Sequence, residues 1–221
     1  MGSKLRAAFD RAFAKIQDDI LKMGGMVDQA IYQSVESLKT RNQVLARDVI
    51  DADEDVNALR FAVEEAVLAL IATQQPAASD LRAVVAAMNV VVEMERMADH
   101  ASGIAKTVIL MGDEPLLKPL IDIPRMAELA RQMLKDCLQA YIDQEAGKAE
   151  SIASRDDEMD SYYRAVFDEL VEIMAGKPDS VERATYLLWC AHNLERISDR
   201  VTNIAERIIF VSTGDMKELN V

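Results

Sequence analysis

An acidic motif occurs twice in this chain, 100 residues apart, and this duplication limits the possible architectures more than any other feature. Residues 95–99 read Glu-Arg-Met-Ala-Asp, residues 195–199 read Glu-Arg-Ile-Ser-Asp, and an Ile-Ala pair follows each copy, at 104–105 and 204–205. Six of fifteen positions are identical when residues 95–109 are compared with residues 195–209. A repeat unit of about half the chain predicts two halves with the same fold.

Apolar residues recur at intervals of three or four through nearly the whole chain, which is the spacing of amphipathic helices. This spacing predicts three helices in each half, over 4–39, 43–73 and 80–111, and over 124–145, 147–175 and 180–212. Breaks are expected at Pro76, which cannot continue a helix, and at the mid-chain run 112–115, Gly-Asp-Glu-Pro. The predicted fold is all-α, with two tandem antiparallel three-helix bundles: a first repeat over 1–113 and a second over 114–221.

The composition is typical of packed helices and excludes several classes of protein. Half of the 221 residues are hydrophobic, and eight Gly with five Pro are too few for the turns of an all-β fold. A formal charge of −13 repels phosphate backbones, so nucleic acid is not an expected partner. No run of eighteen apolar residues and no signal-peptide pattern occurs, which predicts a cytoplasmic protein without membrane insertion. Cys137 and Cys190 lie in apolar helical pattern and are predicted core residues.

The acidic motif places two carboxylates on one side of a helix, because residues four apart project in the same direction. Glu95 falls within an apolar stripe of its predicted helix, and Asp99 lies at the edge of that stripe. The clearly polar face of this helix lies elsewhere, at Arg82, Asn89, Glu93, Arg96, His100 and Thr107. The two carboxylates are therefore not expected on the freely solvated side.

Carboxylates on facing helices are the ligands that hard cations such as Mg²⁺, Mn²⁺ or iron accept. Acids of the second predicted helix in each half complete two candidate metal sites. The candidate ligands are Glu95, Asp99 and Asp53 in the first half, and Glu195, Asp199, Asp156 and Asp160 in the second. Alternatively, these acids pair with Arg96, Lys106 or an arginine on another helix in a structural network without metal. The residue spacing leaves both interpretations open.

Residue patterns for catalysis do not occur in the sequence. Neither His100 nor His192 has the Glu-x-x-His spacing of helical di-iron enzymes, and no nucleophile–base–acid set or phosphate-binding loop is present. The chain is therefore predicted not to be an enzyme. A metal-free helical scaffold and a carboxylate–metal enzyme are the alternatives to a metal-binding regulator.

The duplicated motif, the three-helix repeats and the chain length together resemble the PhoU family of phosphate-uptake regulators. The resemblance runs from Phe9 to about Val211 and includes the pattern Ile-Leu-Lys-Met-Gly at 20–24. The second motif copy, continued to Asn203, is close to the family form, whereas the first copy has Gly103 where the family often has Asn. If that Asn helps to hold a cation, the first site is expected to be the weaker one.

This resemblance implies a cytoplasmic, non-enzymatic negative regulator of phosphate uptake and of phosphate-starvation signalling. The implied partners are the ATPase subunit of the phosphate ABC transporter and a phosphate sensor histidine kinase, and a homodimer is expected. Family motifs of this kind are associated with iron clusters, Mn²⁺ or Mg²⁺. The resemblance therefore makes Glu95, Asp99, Glu195 and Asp199 the first-choice ligands, with Asp53, Asp156 and Asp160 as weaker ones.

Overall fold

The computed structural model describes residues 2–219, with side chains from Arg6 onward. Its helices are α1 (Gly2–Thr40), α2 (Gln43–Gln74), α3 (Ser79–Met111), α4 (Asp122–Asp143), α5 (Ala146–Ala153), α6 (Asp156–Gly176) and α7 (Val181–Thr213). A single 3-10 turn, Pro178–Ser180, precedes α7. This part of the chain contains no strand, which confirms the all-α prediction. None of its helices is long and apolar enough to cross a membrane.

Residues with special backbone or side-chain roles set the helix boundaries in the first half. The Asn42 Oδ1 atom accepts hydrogen bonds from the backbone N–H groups of Val44 and Leu45, at 3.0 and 3.1 Å, and so begins α2. α2 ends where Gln75 adopts a left-handed conformation, with φ of 47°, immediately before Pro76. Gly112, with φ of 57°, ends α3 at the expected mid-chain break.

The second half differs from the prediction, because the single helix expected over 147–175 is divided into α5 and α6. The chain makes a tight turn at Ser154 and Arg155, where the Arg155 N–H donates to the Ile152 carbonyl at 3.1 Å. The Arg155 side chain extends to α4, where it donates a hydrogen bond of 2.9 Å to Asp136 Oδ2. No Gly or Pro marks this turn, and apolar residues keep their spacing across it, with Ile152 and Met159 both buried. The periodicity therefore gave no sign of the division.

α3 and α7 pack against each other at the centre of the molecule. Glu93 of α3 contacts Arg200 and Asn203 of α7, whereas His100 contacts Asn193, so the two helices run antiparallel. α2 packs on α1 and α3, and α6 packs on α4 and α7. The two three-helix repeats therefore meet along their third helices.

Both halves contribute to one hydrophobic core. Buried residues from all seven helices form a single contact cluster, in which Cys137 and Cys190 take the core positions expected for them. α1 and α4 also meet, and a Cβ atom at Gly24 would overlap Leu138 Cδ1, so a larger residue there would displace the Leu138 side chain. A division into 1–113 and 114–221 separates the sequence repeats within this common core, and we retain it as a proposal.

Candidate metal centres

Two groups of carboxylates lie at equivalent places in the two halves, each between the second and the third helix of its repeat. The first acidic site consists of Asp53 on α2 with Glu95 and Asp99 on α3. The second acidic site consists of Asp156 and Asp160 on α6 with Glu195 and Asp199 on α7. These are the seven residues that the sequence pattern nominated, and we keep both site names below.

The first acidic site has few compensating contacts. Arg60 on α2 is the nearest cation to Glu95, with 4.0 Å between Nη1 and Oε1, and its Nε atom is buried without a hydrogen bond. Asp53 Oδ2 accepts a long hydrogen bond of 3.4 Å from Asn57 Nδ2, while Asp53 Oδ1 is buried and has no hydrogen-bond partner. Asp99 is exposed, whereas Glu95 retains only 17% of its side-chain exposure. Only Glu95 is thus withdrawn from solvent as expected.

Burial and the repulsion between the carboxylates both raise carboxyl pKa values in the first acidic site. Burial raises the pKa of Asp53 above its ordinary value, and the charge of Asp99 raises it further, against the opposing effect of Lys106. The pKa of Glu95 is also raised by burial and then by Asp99, with Asp53 adding to the effect and Arg60 opposing it. The first acidic site therefore carries more negative charge than its own cations neutralise.

The second acidic site is more fully bonded at its edges. Ser198 Oγ donates to Asp156 Oδ1 at 2.6 Å, and Arg196 Nη1 lies 2.6 Å from Asp199 Oδ2. Glu195 Oε2 is 3.3 Å from His192 Nδ1, but this geometry forms no hydrogen bond and leaves the oxygen buried and unpartnered. One oxygen of the Glu195 carboxylate is thus buried in this site without a hydrogen bond.

The carboxyl group of Glu195 is strongly perturbed by its surroundings. Burial raises its pKa from the ordinary 4.5 to about 7, with Asp199 as the next contributor and Asp160 and Asp156 as smaller ones, while Arg196 opposes the shift. The charged form is disfavoured because it is both desolvated and surrounded by like charges. A bound cation would offset both the desolvation of the carboxylate and its repulsion by the neighbouring carboxylates.

Replacing Glu195 with Gln is expected to stabilise the metal-free protein at about pH 8 and to have little effect at about pH 4. Because the pKa of Glu195 rises from 4.5 to about 7 on folding, the folded chain binds more protons between these values. The free energy of unfolding then falls as pH rises through this window. The side chain retains 21% exposure, so we expect about 1 to 2 kcal/mol after solvent screening.

Urea unfolding in the presence of a chelator, at both pH values, measures this difference. Glu65→Gln, at an exposed acid in the middle of α2, is the matched control for removing a carboxylate outside both acidic sites. A Glu195→Gln effect that does not depend on pH would contradict the perturbed pKa.

The carboxylate oxygens of both sites are the donor type that a hard cation accepts, but the carboxylates lie too far apart to bind one ion together. Carboxylate oxygens are suitable ligands, and the two buried oxygens without hydrogen bonds, Asp53 Oδ1 and Glu195 Oε2, are available for coordination. Within residues 2–219, however, no three His, Cys, Asp or Glu side chains form a group that could hold a metal ion. Because like charges repel, these carboxylates stay apart unless a cation or a proton compensates their charge. Metal binding would therefore require side-chain movement at each site.

Part of the predicted polar face of α3 is covered by α7 rather than solvated. Glu93 Oε2 accepts hydrogen bonds from Arg200 Nη1 and Asn203 Nδ2, at 3.3 and 3.1 Å. In the equivalent contact, His100 Nδ1 lies 3.0 Å from Asn193 Oδ1. We call these five residues the α3–α7 polar seam. The seam lies directly beside both acidic sites, because residues 100 and 200 follow Asp99 and Asp199.

Contacts in the seam account for Gly103, the position at which the first motif copy differs from the family form. A Cβ atom at this residue would lie 3.0 Å from Asn193 Oδ1, so position 103 faces the seam. Its counterpart Asn203 donates from its amide nitrogen to Glu93, also within the seam. The difference between Gly103 and Asn203 therefore changes a contact between the halves, while the expectation that the first site is the weaker one stays a prediction.

His192 lies closer to an acidic site than its sequence context indicated. The Glu-x-x-His order is reversed here, yet the i, i+3 spacing on one helix places His192 Nδ1 beside Glu195. Its ring also lies against Tyr163 of α6, with 6.1 Å between centroids. The helical spacing alone was a sufficient signal for this neighbour, independent of any known motif.

Comparison with known protein families gives a match in each half of the chain. The model of the PhoU domain matches residues 20–108 and 123–208. The two matched segments contain the two acidic sites, the α3–α7 polar seam and most of every helix. The family match thus follows the internal repeat that the motif indicated.

Curated relatives match over nearly the full length. A phosphate-specific transport system accessory protein PhoU homolog from Clostridium acetobutylicum is 34% identical over 216 residues, which cover 97% of this chain and 99% of the relative. A homolog with the same description from Streptococcus pneumoniae is 32% identical, with coverage of 98% and 100%. One from Aquifex aeolicus is 34% identical, with coverage of 90% of each chain.

Solved structures agree with the fold. The crystal structure of the phosphate transport system regulatory protein PhoU from Streptococcus pneumoniae has a TM-score of 0.89 at 31% identity, covering 96% of this chain and all of that one. The crystal structure of PhoU from Pseudomonas aeruginosa has a TM-score of 0.89 at 28% identity, covering 94% and 100%. This agreement confirms the predicted arrangement of two three-helix repeats.

Proposed function

The chain belongs to the PhoU family, and from this premise we propose that it is a negative regulator of phosphate uptake and phosphate-starvation signalling. The observation that carries this proposal is the family match in both halves, each with its own copy of the acidic motif. The chain acts in the cytoplasm by contact with other proteins and does not catalyse a reaction. The relatives compared above are accessory and regulatory proteins of phosphate transport systems.

The proposed partners are the ATPase subunit of a phosphate ABC transporter and a phosphate sensor histidine kinase. A formal charge of −13 and a sequence rich in exposed acids favour contact with basic surfaces of such partners. The protein is proposed to act as a homodimer, which would present each acidic face twice.

Cation binding is proposed to control these contacts. Glu95 and Asp99 with Asp53 would hold an ion in the first half, and Glu195 and Asp199 with Asp156 and Asp160 would hold one in the second. Iron, Mn²⁺ and Mg²⁺ all accept this oxygen donor set. The ion would neutralise carboxylates whose pKa values are raised by burial and like charge, and would draw α2 toward α3 and α6 toward α7.

The α3–α7 polar seam is proposed to couple the two acidic sites, so that cation binding at one site affects the other. His100 and Arg200 each follow a motif aspartate and contact the opposite half. A change in the position of either motif helix therefore reaches the other half through direct hydrogen bonds. This arrangement favours a regulator whose two halves respond together over two independent binding modules.

Deletion of the gene for this chain is the direct test of the proposed function. Without the protein, phosphate uptake and a phosphate-starvation reporter should stay high in phosphate-rich medium, and the wild-type gene should restore repression. The exposed substitution Val44→Ala should restore repression equally, because Val44 lies outside both acidic sites. A reporter that remains repressed in the deletion strain would contradict the proposal.

Partner binding can be measured separately with purified proteins. The chain should bind the transporter ATPase subunit, and the affinity should fall as ionic strength rises, because salt screens contacts between exposed charges. An interaction without salt dependence would contradict the electrostatic part of the proposal. No interaction with either the ATPase subunit or the kinase would contradict the proposed partners.

A further inference from the structure

The first half contains a pocket that shares Asp53 with the first acidic site and that the family match does not explain. It has a volume of about 210 Å³ and lies between α1 and α2, over Ala98 of α3. Its floor and walls are mainly apolar, and its polar groups are two glutamines and two aspartates. The main lining residues are Gln29, Ala30, Gln33, Ala52, Asp53, Asp55 and Ala98.

The internal repeat shows what fills the corresponding place in the second half. Three alanines line the pocket, and each is replaced by a larger residue at the equivalent position of the repeat. The pairs are Ala30 and Met133, Ala52 and Arg155, and Ala98 and Ser198. Met133 and Ser198 are both fully buried, with 3.5 Å between Ser198 Oγ and Met133 Sδ.

The most informative of these pairs is Ala52 and Arg155. In the second half, the guanidinium group of Arg155 spans the groove and donates to Asp136 Oδ2, at 2.9 Å. Asp136 Oδ1 accepts a further bond of 2.8 Å from Gln132 Nε2. The equivalent of Asp136 in the first half is Gln33, which lines the open pocket. The second half thus supplies, from its own chain, a cation that the first half lacks.

The polar groups of the first-half pocket also favour a cation. Asp53 Oδ1 is buried without a hydrogen-bond partner, and Asp55 is a second carboxylate in the lining. The side-chain oxygens of Gln29 and Gln33 can accept further hydrogen bonds from a donor-rich ligand.

We propose that this pocket binds an alkylguanidinium group, with the guanidinium at Asp53 and the alkyl chain over the three alanines. A planar guanidinium offers five N–H donors to carboxylate and amide oxygens, and its alkyl stem suits an apolar floor. The volume of 210 Å³ corresponds to about seven water molecules at ~30 Å³ each, which matches an alkylguanidinium of roughly eight heavy atoms.

This inference does not depend on the proposed regulatory function. Asp53 belongs both to the pocket and to the first acidic site, so a metal ion there would compete with the guanidinium for one carboxylate. The binding measurement therefore uses the full-length protein in the presence of a chelator. A failure of guanidinium binding under these conditions would leave the metal proposal untouched.

Isothermal titration calorimetry with butylguanidinium tests the proposal, and butylurea is the neutral ligand of the same shape. Butylguanidinium should bind at one site per chain, and butylurea should bind at least about tenfold more weakly, because only the cation compensates Asp53. No butylguanidinium binding at millimolar concentrations, or equal binding of the two ligands, would overturn the proposal.

Two arginine substitutions on α2 locate the binding site. Ala52→Arg introduces the residue of the second half and should weaken butylguanidinium binding by about tenfold or more, since it fills the pocket with a tethered guanidinium. Ala62→Arg adds the same charge at an exposed position outside the pocket and should leave binding unchanged. Both alanines are exposed, and a thermal melt verifies that each variant folds. Equal affinity in the Ala52→Arg variant and the wild type would overturn the proposal.

Two further ligands distinguish the natural source of the group. Agmatine represents a free small molecule, and N-acetyl-arginine methylamide represents an arginine side chain presented by a protein. Tighter binding of agmatine supports the first source, and tighter binding of the capped arginine supports the second. If neither binds, the proposal is contradicted.

Discussion

Alanine substitution of both Glu195 and Asp199 is expected to remove the stabilisation that Mn²⁺ or iron gives to the second half. An ion at several hundred times its dissociation constant stabilises the folded state by about 3 to 4 kcal/mol. For a chain of this length, that corresponds to a rise of about 10 °C in melting temperature. The variant should lose most of the rise assigned to the second acidic site, as measured by thermal melts with added metal and with chelator.

The melts in chelator distinguish this account from a structural ion-pair network. The carboxyl pKa of Glu195 is raised to about 7 by burial and like charges, so its ionised form destabilises the metal-free fold at neutral pH. The variant should therefore melt in chelator at the wild-type temperature or slightly above it. A clear loss of stability in chelator would show that Glu195 and Asp199 stabilise the fold without metal. The matched variant Glu95→Ala with Asp99→Ala should affect only the first half's share of the stabilisation.

Truncation of Ile104 or Ile204 to alanine is expected to destabilise the whole molecule rather than one half. The two residues occupy equivalent positions of the repeat, on α3 and α7, and both are fully buried in the common core. Removal of a buried isoleucine side chain to Cβ costs about 2 to 5 kcal/mol. Each variant should therefore lower the melting temperature by about 5 to 15 °C in a single transition.

Differential scanning calorimetry measures both the size and the number of the transitions. The exposed substitution Val44→Ala is the control and should change the melting temperature by only a small amount. Two separate transitions, with only one displaced by Ile104→Ala, would contradict a common core. That result would instead favour 1–113 and 114–221 as independently folding units.

The duplicated motif and the helical period of the apolar residues together predicted the two-repeat all-α fold, because both can be read directly from the sequence. The turn at Ser154 and Arg155 left no mark in either pattern. The pairing of α3 with α7 was not predictable in the same way. Glu93 and His100 belong to the polar face of α3, and polar residues at helical spacing are normally solvated. Only the partner residues on α7, Arg200 and Asn193, show that this face is an internal contact.

The sequence predicted the candidate sites only in part, again because contacts between helices cannot be read from residue spacing. The i, i+4 spacing brought Glu195 and Asp199 to one side of α7, and the repeat nominated Asp156 beside them. The bond from Ser198 to Asp156 depends on how closely α6 approaches α7, which no spacing rule provides. The difference between Ala52 and Arg155 was visible in the sequence, but its meaning required the pocket that the smaller residue leaves open.

Metal content of the purified protein is the most direct test of the central claim, that the duplicated carboxylate motifs bind cations. Untagged protein, purified without chelator, is analysed by inductively coupled plasma mass spectrometry beside the two double variants. The account predicts at least one equivalent of iron, manganese or magnesium in each half, with Glu95→Ala/Asp99→Ala and Glu195→Ala/Asp199→Ala each removing its own share. A fully folded wild-type protein without bound metal, also after incubation with these ions, would contradict it.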